Sequence, residues 1–466
     1  MKNKLQVNML EGSIVKNLLI FAIPLLAANI LQLLFNAADI TILGIFVTDS
    51  VRAIASVAAV GSTNALINLV IGLFVGLSVG ANVIVAKCVG ENNEEKSKRI
   101  VGASMSISLI VGLFLAVIGF FFAKTFLRWM GSPEDVIDLA ASYLKIYFLG
   151  MPIMMLYNFS SAILRAVGDT VRPLIFLCIG GVVNVGFNIF FIKIAGLDVE
   201  GVAIATVISQ LIAAVLTVIT LLKSKGYSKF ELKNMKIRGS DLKEIVKIGV
   251  PAGLQGCVFS ISNVLIQSSI NSFGTDAIAA NSIASQLEGF VYYAMYSVAL
   301  ASMSFVSQNY GAGNINRVKK TVWITLAVSG IVGFIMGWGV VLLDKELCSI
   351  INSDPKVINL ASSRLWTIST TYFLCGFMDT YGNVMRGLGK STLAMIVSLS
   401  GSCLFRVIWI YTVFIKWHTL EILYIVYPVS WLLTSLIYVA IYYPYVNMLE
   451  KKNKKPVIAE EGGKYQ

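Results

Sequence analysis

AKCVGENNEEKSKRIV at residues 86–101 and SQNYGAGNINRVKKTV at residues 307–322 decide the fold. They align at an offset of 221 residues, which sets Gly90 against Gly311 and Asn93 against Asn314. Each is a short polar, basic turn between two long apolar blocks. RAVGDT at Arg165 and RGLGKS at Arg386 repeat at the same offset. SIVKNLLIFAIP from Ser13 and SDLKEIVKIGVP from Ser240 match in Ser, Lys and Pro at an offset of 227. Three matches in one order describe an internal duplication.

The apolar blocks say what was duplicated. Hydrophobic residues make up 57% of the chain and charged residues 13%, about half the usual charged share of a soluble domain. A soluble fold of 466 residues could not cover its surface with so few charges. Blocks such as 100–123 and 321–343 are long enough to cross roughly 30 Å of hydrocarbon as helices. Twelve spans are expected, near 15–47, 53–85, 100–123, 136–164, 172–193, 200–222, 243–272, 277–307, 321–343, 357–385, 392–415 and 421–447. The first block is too long for a cleavable signal peptide.

Charge orients the spans. The two tails and the loops after even-numbered spans hold 27 of the 37 basic residues, and the opposite loops hold seven. Both termini are therefore expected in the cytoplasm. That placement also turns the net charge of +12 toward the anionic leaflet rather than toward nucleic acid. The six cysteines are scattered without disulfide or metal spacing, and packing roles are expected of them. The expected domains are an amino-terminal lobe (1–222), a basic linker (223–242), a carboxy-terminal lobe (243–447) and a cytoplasmic tail (448–466). Six spans per half make the repeat parallel, with a pseudo-twofold along the membrane normal and a cavity between the lobes.

The duplicated turns, with a long proline-containing first span and its later Asp39, resemble the multidrug and toxic compound extrusion (MATE) family over roughly residues 13–445. The resemblance implies antiport of H⁺ or Na⁺, the coupling ion and not a bound cofactor, against organic and often cationic compounds. It also implies a multi-pass protein of the cytoplasmic membrane that is no enzyme. A monomer is expected. On physical grounds Gly90, Gly168, Gly311 and Gly389 are expected to supply tight turns with positive φ. Arg165 and Arg386 are expected to bind helix-end carbonyls or lipid phosphates.

Ionisable residues inside the membrane are the functional candidates, because each costs about 2.5–3.5 kcal/mol to insert. Asp39 lies nine residues before Thr48, roughly 13 Å inside the outer end of the first span. Asn184 in the fifth span, Thr206 in the sixth and Tyr143 in the fourth fall at a similar depth, so four helices can bring polar groups to one level. These positions match the amino-lobe cation site that the resemblance implies. One departure is Asn188, where the family pattern has a second carboxylate. Asp39 is then the only deep acid of this lobe.

In the other half Glu288 and Arg406 both fall near the middle of their spans, either as a structural ion pair or as a second proton or cation site. Asp379 is expected to pair with cytoplasmic basic groups. Lys145 and Arg364 are expected to snorkel from outer ends. The function expected is alternating-access export driven through Asp39. A lipid-linked precursor flippase of the same superfamily is the alternative. An integral membrane transferase is the more distant one, and it would need clustered acids that the chain does not show.

Overall fold

The computed structural model describes residues 5–47 and 50–454. The loop at Thr48 and Asp49 and the part of the expected tail at 455–466 lie outside these described residues. The described residues form helices and turns with no strand.

Among the described residues, ten helices are each long and apolar enough to cross a membrane. They are α1 (Ile14–Phe46), α2 (Ser50–Gly90), α3 (Glu94–Trp129), α5 (Val171–Ile194), α6 (Val199–Lys223), α7 (Gly239–Asn271), α8 (Thr275–Gly311), α9 (Ile315–Leu342), α11 (Ser391–Trp417) and α12 (Leu420–Lys454). The fourth span, α4, is a pair, Ile137–Leu149 and Met151–Ala166, bent by 50°. Pro152 sits in the first turn of its second half, where its missing N–H costs nothing. The tenth, α10, is also a pair, Pro355–Ser369 and Tyr372–Gly387. It breaks at Thr371, the position that the 221 offset assigns to Gly150. A short helix, Asp344–Ile351, precedes it.

The apolar residues that form this belt remain exposed, among them Ile54, Phe121, Val182 and Ile194. Such a surface on long apolar helices is a lipid-facing one. Inside each half, small residues let the helices approach. Any side chain at Gly112 of α3 would meet the backbone of Pro152, and one at Gly401 of α11 would meet Thr434 of α12.

The halves meet through α2, which packs along α7 and crosses α8. Gly76 and Gly80 of α2 lie against the backbones of Gly253, Gly249 and Ile245. At the cytoplasmic ends the contact is reciprocal: a Cβ on Gly90 would strike Gln308 O, and one on Gly311 would strike Lys87 O. Lys87 and Gln308 are themselves partners under the 221 offset, so this crossing lies on the pseudo-twofold. The expectation of positive φ at Gly90 and Gly311 is corrected here. Both end their helices, and the left-handed residues are Asn92 and Gly313. Gly168 and Gly389 do have positive φ. Asn93 and Asn314 cap α3 and α9 by accepting from Lys96 N at 2.9 Å and Arg317 N at 3.0 Å, which satisfies a free helix-end donor in each half.

The cytoplasmic side is sealed by polar bonds across the two halves. Ser304 donates to Asn82 Oδ1 at 3.1 Å, and Gln308 donates to Ala166 O at 2.7 Å. A strap of residues 5–12 bridges both halves: Val7 N donates to Gly168 O at 3.0 Å, and Asn309 and Arg317 both donate to Met9 O at 3.1 Å. Met9 is buried against α1 and α8. The residues linking α6 to α7 lie against α3, where Ser97 and Ser106 donate to the carbonyls of Tyr227 and Met235. At the other end, α12 continues through residues expected in the tail as far as Lys454, and Asn453 donates to Gly313 O at 2.8 Å. Both described ends of the chain thus meet the turn between α8 and α9.

Candidate functional site

α1 carries Gln32, Asn36 and Asp39 at spacings of four and three, one polar stripe on an apolar helix. This stripe faces a cavity of about 270 Å³ within the amino-terminal half, whose lining also includes Asn68, Tyr143, Tyr147, Asn184, Thr206, Ser209 and Gln210. Asp39, Asn184, Thr206 and Tyr143, expected at one depth, all lie on this cavity. Asn188 joins them one helical turn beyond Asn184.

The polar groups form a relay. Asn188 Nδ2 donates to Asp39 Oδ1 at 2.5 Å and to Asn184 Oδ1 at 3.2 Å, and Asn184 Nδ2 reaches Thr206 Oγ1 at 3.4 Å. Asn188 Oδ1 is buried without a partner among the described residues. Tyr143 and Tyr147 stack at 5.9 Å on the cavity wall. The helix carrying the two asparagines ends in a π turn, Phe190–Ile194, a wide turn frequent beside functional groups. Asp39 is met by the amides of Asn188 and Asn184 and has no ion pair among the described residues. A buried carboxylate without a counter-charge is costly and is neutralised either by protonation or by a bound cation. Its oxygens and the idle Asn188 Oδ1 are suitable acceptors. Gln32, Asn36 and Gln210 were not expected at the site, although the stripe on α1 and the four-residue step from Thr206 to Gln210 are visible in the sequence. Asn68 carries no such signal.

The carboxy-terminal half corrects four expectations. Glu288 does not pair with Arg406. Arg364 takes it in a two-pronged bond, Nε to Oε1 at 3.0 Å and Nη2 to Oε2 at 2.7 Å. Arg364 therefore does not snorkel; it is 4% exposed and also donates to Asn281 at 2.5 Å. Its planar fork and weak hydration suit a buried carboxylate. Arg406 instead donates to Ser430 and Asn263. Asp379 makes no ion pair among the described residues, since Arg386 turns to Asn383 at 3.0 Å and Gln255 at 2.8 Å. Those side-chain acceptors, rather than helix-end carbonyls or lipid, also occupy Arg386. Lys145 is exposed and lies over the Phe120 ring, as snorkelling requires.

Comparison with known proteins follows the same lines. The MatE family model matches residues 24–190 and 251–412, one copy per half. The chain is 27% identical to the probable multidrug resistance protein YoeA of Bacillus subtilis (strain 168), covering 84% of each. It is 23% identical to the multidrug export protein MepA of Staphylococcus aureus (strain MSSA476), covering 86% of this chain and 88% of that one. Among solved structures, one described as MATE in the bent conformation superposes with a TM-score of 0.89 at 21% identity, over 98% of this chain and all of the other. The straight conformation gives 0.87 at 22% identity, over 97% of this chain and all of the other.

Proposed function

The chain belongs to the MATE family of multi-pass membrane transporters, and from that premise we propose that it exports organic cations in exchange for H⁺ or Na⁺ through Asp39. It is a transporter of the bacterial cell membrane and not an enzyme. The observation that carries the coupling proposal is the Asp39 carboxylate facing a cavity with only neutral amides, those of Asn188 and Asn184, and no counter-charge beside it among the described residues. A proton or Na⁺ entering from outside neutralises it, and the Asn188–Asn184–Thr206 relay then rearranges, because each member is bonded through the one before it. An organic cation seeks the same negative charge, so ion and substrate compete for one carboxylate. That competition is the exchange. With both halves in one chain, a monomer suffices.

The test is ethidium transport in everted vesicles with either a pH or a Na⁺ gradient imposed. Wild type is expected to respond to one of the two, and Asp39→Asn to lose the response at least tenfold. An Asp39→Asn variant that transports at the wild-type rate would remove Asp39 from the mechanism.

A further inference from the structure

The offset that relates the two halves also relates their interiors. Adding 221 to Tyr143, Thr206 and Ser209 of the amino-terminal cavity gives Arg364, Tyr427 and Ser430. The 227 offset of the first helices carries Asn36 to Asn263. These four counterparts converge, as their partners do, but around a guanidinium. Arg406 follows Phe405, the counterpart of Asn184. It donates from Nε to Ser430 Oγ at 3.1 Å and from Nη1 to Asn263 Oδ1 at 3.3 Å. Its Cζ lies 4.6 Å over the Tyr427 ring, and Arg364 lies 5.5 Å from the same ring.

The charges around that ring do not cancel. Glu288 is fully engaged by Arg364. Arg406 is 3% exposed, has no carboxylate partner and leaves Nη2 without an acceptor among the described residues. At the Tyr427 ring itself two guanidiniums and one carboxylate leave a formal charge of +1, and a buried unpaired charge is costly. π turns at Leu399–Leu404 and Ile410–Phe414 flank Arg406, and such turns recur at functional sites. Asn263 is exposed, in a stripe with Ser260, Gln267 and Asn271 on α7. A polar stripe on a membrane helix faces water or protein rather than lipid.

We propose that Arg406, positioned by its bonds to Ser430 and Asn263, is the centre of an anion site for a monovalent carboxylate or halide, the charge-inverted counterpart of the Asp39 site. The site stands without the export reading. Its extension to transport rests on that reading: a compound with both an ammonium and a carboxylate group presents the first to Asp39 and the second to Arg406.

Thermal unfolding of the purified full-length protein tests the site. Choline acetate and choline chloride are compared with choline gluconate at equal ionic strength. Wild type is expected to gain several degrees in acetate, in chloride or in both. Arg406→Gln should lose the gain, Arg406→Lys should keep part of it, and the exposed control Lys416→Gln should keep it all. An equal gain in Arg406→Gln, or none in wild type, overturns the proposal.

Rhodamine 110, which has a free carboxylate, and rhodamine 123, its methyl ester, then distinguish the source of the anion. Arg406→Gln should lower the acid-to-ester affinity ratio at least tenfold by fluorescence polarisation. An unchanged ratio overturns the extension to substrate and leaves a free-ion site. If wild type moves neither dye in vesicles, the export reading fails while the unfolding shift still decides the anion site.

Discussion

Arg364 and Arg406 both lie within reach of the Tyr427 ring, yet only Arg364 meets Glu288. Depth along the spans puts Glu288 and Arg406 at a similar level and so suggests them as partners. Partner choice depends also on rotation about the helix axis, at about 100° per residue, and an uncertain span end leaves that rotation open. In the amino-terminal half the same counting worked better. Polar residues are sparse there, and Gln32, Asn36 and Asp39 share one face whatever the rotation. The Glu288–Arg364 pair has a measurable consequence. Arg364→Met leaves a buried carboxylate uncompensated, and a loss of about 3–5 kcal/mol is expected. Unfolding in mild denaturant is expected to show the double variant Arg364→Met, Glu288→Met regaining most of it. A double variant no better than the single one would show that Arg364 matters through packing alone.

Among the elements, the broken spans and the glycine crossings follow different rules. Span α4 breaks beside Pro152, a visible punctuation, whereas α10 breaks at Thr370 and Thr371 with no proline there. Only the repeat points to that second break. Gly90 and Gly311 read as turn glycines, because a Gly-Asn pattern after a long apolar block usually is one. Tertiary packing gives them another task, since each lies against the facing backbone where no side chain fits. Gly90→Val is therefore expected to pry α2 from α8 at the cytoplasmic side. In a background whose other five cysteines are serine, alkylation of Cys88, now buried, should quicken about tenfold or more. An unchanged rate would mean that the crossing absorbs the added methyl groups by a small shift.

For the whole molecule, the strap and the bond between Asn82 and Ser304 join the two halves at the cytoplasmic face. Opening inward must break the hold of Arg317 on Met9, Glu11 and Gly12. Hydrogen bonds from a charged group are worth about 1.5–3 kcal/mol when buried, and less at this half-exposed site. Arg317→Ala is expected to shift the balance toward the inward-open state by on the order of tenfold, read as faster cytoplasmic labelling of a cysteine placed at Ser304. Slower or equal labelling would show that the strap is bystander structure.

The sequence by itself determined the membrane class, the twelve spans, the sidedness, the duplication and the level of the Asp39 cluster. Each of these follows from one-dimensional quantities: length of apolar runs, position of basic residues, offset of repeats. Only the tertiary structure decided which arginine neutralises Glu288, which glycines are contacts and not turns, and that the second half answers the Asp39 cavity with an unpaired guanidinium. Those outcomes depend on the facing of helices far apart in the chain, where rotation about the axis chooses between an ion pair and an unpaired guanidinium.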